Sequence, residues 1–148
     1  MVRALEARDG IGGVGERCAR FCLAIAGALQ LESNAKGRVG RAGLLYPVCR
    51  NGAKHSGPPL DELLERVEDF TTVTPLLRAA LDLGEDTDTE AQIVAVAGTL
   101  AIRLHEDPAA DVPKLIDGLR RDATYDEEVV SLLHRCHLDG SLYNAKME

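Results

Sequence analysis

No apolar run in this sequence approaches the roughly 20 residues that a membrane-spanning helix needs. The longest, CLAIAGAL at 22–29, is too short, and Glu6, Asp9 and Glu16 precede it, which argues against a secretory leader. A soluble, cytoplasmic chain with no membrane partner is expected. Cysteine is sparse and has no bonding pattern: Cys18 and Cys22 lie four apart on an apparent helix, and Cys49 and Cys136 have no neighbouring partner. These read as free, core-like thiols in a reducing compartment rather than as a disulfide framework. Aromatic residues make up 3% of the chain, and Tyr46 alone stands near the cationic stretch, so a base-stacking platform is missing. Paired runs of alternating apolar residues are also missing, which removes the signal for a β-hairpin.

What is present fits a helical domain. At 148 residues the chain has the length of one domain, and 45% hydrophobic with 28% charged residues excludes wholesale disorder. Its distinctive property is charge segregation. Residues 1–57 carry nine Lys or Arg against four acids, whereas residues 58–148 carry eight against twenty. Ten of the fourteen glycines also precede the cut at 57/58. The expected organisation is a basic, glycine-rich segment over 1–57 and an acidic helical body over 58–148, within one folded domain.

In the basic segment, Cys18, Phe21, Cys22, Ile25 and Leu29 make a helical stripe over about 16–31. ESNAKGRVGRAG is rich in breakers and reads as a loop, and LLYPVC is compatible with either helix or extended chain. In the acidic body, Leu60, Leu63, Leu64 and Val67 recur at helical spacing. Thr74-Pro75 reads as an N-cap with a first-turn proline, and Gly84 as the stop. Thr87 to Glu90 and Thr124 to Glu127 each form a capping-box pattern. The first opens a helix with Ile93, Val96, Ala97, Leu100 and Leu104 on one buried face, stopped at Pro108. Asp111 caps a further helix through Leu115, Ile116 and Leu119, and the last buries Val129, Leu132, Leu133 and Cys136 before ending at Gly140. LDLGED at 81–86 echoes IRLHED at 102–107 without a third copy, so antiparallel helix pairs fit better than a solenoid. The predicted fold is all-α: a compact bundle of six or seven short amphipathic helices.

Three patterns invite a chemical reading. Gly10, Gly12 and Gly15 have the spacing of a dinucleotide-binding turn, but the charged MVRALEARD before them is no buried strand and no βαβ unit follows. Cys18, Cys22, His134 and His137 provide metal-ligand types, yet the pairs are over a hundred residues apart and the cysteines sit in an apolar stripe. Cys136 between His134 and His137 suggests a nucleophile, but neighbouring helical residues point in different directions. Neither a metal, a cofactor nor a catalytic residue is expected.

KGRVGRAG is the remaining candidate. Lys36, Arg38, Arg41, Arg50 and Lys54 offer contacts to phosphate or to an acidic partner, with the competing possibility that they face the acidic half of their own molecule. The leading functional expectation is a non-catalytic protein-interaction or self-assembling adaptor domain, whose partner is another protein or a further copy of itself. Nucleic acid held at segment 36–54 through its phosphates is the alternative. An enzyme comes third, and would require a pocket uniting histidine with carboxylates.

Overall fold

A computed structural model describes residues 12–52, 73–84 and 86–144 of the chain. The described residues form seven α-helices and no strand: α1 (Val14–Ala28), α2 (Ser33–Gly52), α3 (Thr74–Leu81), α4 (Thr89–Glu106), α5 (Val112–Arg121), α6 (Glu127–Asp139) and α7 (Ser141–Asn144). The all-helical reading therefore holds, while the helix expected around Leu60 to Val67 lies outside the described residues. No described helix is long and apolar enough to cross a membrane.

The bundle is organised around α4. The sequence suggests one buried stripe there, but every residue from Ala91 to Ala101 is buried. A helix apolar on all sides has no solvent face to keep, so its neighbours can surround it. α1 and α2 pack most extensively on each other and both lie against α4; α3 fills in against α2 and α4, while α5 and α6 cover the rest. α7 closes onto α1 and α6. Among the described residues, two polar side chains enter this core, Gln92 and Thr99. Gln92 is satisfied at both ends: its Nε2 donates to the Thr124 carbonyl at 3.1 Å and its Oε1 accepts from Asp126 N–H at 2.8 Å. This fixes the chain entering α6 against the start of α4.

The largest departure from expectation is α2. The breaker-rich stretch that reads as a loop is helical, and LLYPVC continues the same helix through Pro47. Pro47 has no N–H to offer the Gly43 carbonyl one turn back, a defect that tertiary packing outweighs. The glycines serve that packing. A Cβ at Gly43 would stand 2.7 Å from Cys22 Sγ and 3.2 Å from the Ala19 Cα, and one at Gly40 would stand 3.2 Å from Leu23 Cδ2. Their spacing of three puts both against α1, where side chains would hold the two helices apart.

Several caps sit one or two residues from their expected places. α4 is capped by Asp88, whose carboxylate accepts from Ala91 N–H at 2.9 Å. The neighbouring Thr87 hydroxyl instead accepts from Gly84 N–H at 2.6 Å. Likewise Asp126, not Thr124, caps α6 by accepting from Val129 N–H at 3.1 Å. α3 starts from Val73 and turns off at Asp82, so neither Thr74 nor Gly84 has its expected role. Asp111 does occupy the cap position of α5, although its side chain makes no capping bond. Pro108 follows α4 and Gly140, at φ 82°, ends α6, both as read from the sequence. The end of α1 gives no glycine signal because Gln30 takes the left-handed conformation, φ 58°, that glycine usually fills. Leu31 N–H to Ala26 O at 3.1 Å and Gln30 N–H to Gly27 O at 3.0 Å close the turn around it.

Candidate functional site: the groove between the first two helices

The cations of α2 have different fates. Arg38 reaches across to the first turn of α4, with Nε 3.1 Å from Glu90 Oε1 and Nη2 3.2 Å from Glu90 Oε2. This two-pronged geometry matches guanidinium to carboxylate, and the hydrogen bonding and charge of Glu90 raise the Arg38 pKa. Here a cation of the basic segment does face the acidic half of its own molecule. Arg50 turns inward: its Nη1 donates to Thr99 Oγ1 at 2.8 Å and stands 3.5 Å from the Tyr46 hydroxyl. The Thr99 and Tyr125 hydroxyls share a further bond at 3.1 Å, so one polar chain links α2, α4 and the turn before α6. Burial pushes the Tyr46 phenol up, against the opposing pull of Arg50.

Lys36 and Arg41 are left for other contacts. Both line a groove of about 420 Å³ between α1 and α2, with Leu23 and Leu44 supplying its apolar surface over the buried Ala19. Gly37 and Gly40 expose backbone along it. The Arg41 guanidinium lies back over Gly37, 3.9 Å from where a Cβ would be. Among the described residues neither Lys36 nor Arg41 has an ion-pair partner. The structure thus brings together two of the five candidate residues, and places Arg38 and Arg50 in internal contacts. Lys54 lies outside the described residues.

The groove's apolar half was missed in the sequence because Leu23 lies off the Cys18 to Leu29 stripe and looks like a stray surface leucine. An aliphatic residue off the main stripe of an otherwise well-formed helix was the available signal.

The other candidate chemistries have structural placements. Gly12 and Gly13 form an exposed turn leading into α1, and Gly13, at φ 84°, stands at its N-cap; Gly10 lies outside the described residues. Cys18 and Cys22 are buried side by side in α1, and Cys18 is raised well above an ordinary thiol by burial and by its contact with Cys22. His137 Nδ1 is 2.6 Å from the Tyr143 hydroxyl. Cys136 is buried, its Sγ donating towards the Ala24 carbonyl at 3.6 Å, and burial raises its pKa. Among the described residues, no three His, Cys, Asp or Glu side chains are grouped to hold a metal ion. Some acids of the capping regions have local uses: beyond Asp88 and Asp126, Asp122 accepts from Thr124 N–H at 2.9 Å, bonding that lowers its pKa.

Compared with protein-family models, with curated proteins and with solved structures, the chain finds no match.

Proposed function

We propose that this chain is a non-catalytic helical interaction domain whose α1–α2 groove receives an acidic protein segment bearing an apolar face. The observation that carries this reading is the pairing, in one groove, of an aliphatic surface with two cations that no described carboxylate neutralises. Such a lining favours a ligand of opposite pattern: apolar groups for Leu23 and Leu44, carboxylates for Lys36 and Arg41. Its lining contains neither histidine nor carboxylate, the composition of a recognition surface rather than of an acid–base site. A phosphate-tracking surface needs a row of available cations, and the engagement of Arg38 with Glu90 and Arg50 with Thr99 interrupts that row. Residues 58–148, with their twenty acids, make a second copy one source of such a segment, which is the self-assembling form of the same proposal.

A fluorescently labelled peptide with the sequence of residues 58–72 is a suitable probe, because it places acids between leucines at helical spacing. Anisotropy should rise saturably, weaken with added salt, and be lost in a Lys36→Glu, Arg41→Glu double variant that retains the parent's helical circular dichroism. Equal binding by parent and variant would refute the groove. Light scattering over a concentration and salt series separates the self-assembling form: a monomer under every condition removes it.

A further inference from the structure

A second cleft, of about 280 Å³, forms where α1 meets α7 and the start of α5. Pro108, Val112 and Tyr143 give it apolar walls over the buried Phe21 and Leu142, and Arg17 and Arg20, three apart on α1, line it as well. The Phe21 and Tyr143 rings meet edge to face, with centroids 6.3 Å apart. Tyr143 is 49% exposed although its ring is held in place, because the hydroxyl is engaged by His137 Nδ1 at 2.6 Å. Arg17 and Arg20 are exposed, their guanidinium groups have no ion-pair or hydrogen-bond partner among the described residues, and no carboxylate lines the cleft with them.

A guanidinium stays charged at every pH the fold meets, so this cleft carries fixed positive charge beside an aromatic wall bonded to His137. The complementary ligand has one anionic group on an apolar body. The cleft's volume lies just below the usual range for ligand pockets, which limits that body to a medium-length alkyl chain or a single ring. We propose that the cleft binds small amphipathic monocarboxylates, with the carboxylate on Arg17 and Arg20 and the apolar body against Tyr143, Val112 and Pro108. A fully hydrated inorganic anion has nothing to place on those walls and is poorly suited. This site is separate from the α1–α2 groove and stands or falls independently of it.

The test is a titration of the full chain with octanoate, followed by two-dimensional amide NMR. Saturable shifts should centre on α1 around Arg17 to Phe21 and on α7. Octanamide, which keeps the chain and loses the charge, should bind about tenfold more weakly or worse, the equivalent of one charge-assisted hydrogen bond. An Arg17→Gln, Arg20→Gln variant should show a similar loss with an unchanged thermal midpoint, since both side chains are exposed. Inorganic phosphate should produce no saturable shift at these helices. Equal affinity for octanoate and octanamide, equal affinity in the variant, shifts centred on Lys36 and Arg41, or no saturation by about 10 mM octanoate would each overturn the proposal.

Discussion

Replacing Gly98 with alanine adds a single methyl group to the middle of α4, and the structure gives that methyl no room. It would fall within the contact radii of Cδ1 and Cε1 of the Tyr46 ring and 3.1 Å from Cγ. On helix propensity alone Gly98→Ala should stabilise by about 1 kcal/mol, because glycine is the poorer helix former. Overpacking acts the other way, costing about 1–3 kcal/mol where neighbours yield and more where they cannot. Tyr46 is a rigid ring, 4% exposed, with Arg50 bonded to Thr99 beside it, so displacement also disturbs the polar chain. Expelling a buried aromatic side chain costs about 3–5 kcal/mol, which sets the upper limit. The net expectation is a loss of about 2–4 kcal/mol. Urea unfolding followed by far-ultraviolet circular dichroism measures it. Tyr46→Leu removes the obstructing ring, so the double variant Gly98→Ala, Tyr46→Leu should be more stable than the sum of the single changes implies. A neutral or stabilising Gly98→Ala would refute the close approach of α2 to α4.

The left-handed Gln30 predicts a gain: Gln30→Gly removes a strain of about 1 kcal/mol and should raise the urea midpoint, whereas Gln30→Val should lower it. At the start of α4, Asp88→Ala should cost about 1 kcal/mol, and Thr87→Ala should cost less helix stability because its hydroxyl bonds Gly84 instead of the helix; equal costs would contradict the cap assignment. Burial raises the Cys49 thiol from 9.0 to about 12, so above pH 9 the unfolded chain releases a proton that the folded chain retains. Stability contributed by the protonated thiol is complete below pH 9 and is lost as pH rises towards about 12, by roughly 1.4 kcal/mol per pH unit; Cys49→Ala should flatten that part of the profile.

Legibility in the sequence followed how local each cause is. The Gly140 stop and the Pro108 boundary depend on residues within one turn of the feature, and they were readable. The caps were displaced because a Thr and an Asp one or two residues apart (Thr87 and Asp88, Thr124 and Asp126) offer two acceptors, and only the surrounding chain decides which one meets the helix. α2 was unreadable for a different reason: what makes Gly40 and Gly43 tolerable in a helix is the proximity of Leu23, Cys22 and Ala19 on another element. The candidate site repeats the pattern. That segment 36–54 is cationic was evident from composition, but Arg38 and Arg50 find Glu90 and Thr99 at sequence separations of 52 and 49. Nothing near either arginine distinguishes it from Lys36 or Arg41, which have no such partners.

The enclosure of α4 from Ala91 to Ala101 means that water reaches its amides only when the surrounding helices come away. In deuterium-exchange experiments these residues should exchange last, at the rate set by opening of the entire molecule, while α5 and α7 gain label much earlier. A helix without a free side thereby becomes an internal gauge of global stability. A partner or carboxylate that binds only the native state should slow its labelling even when bound far from it.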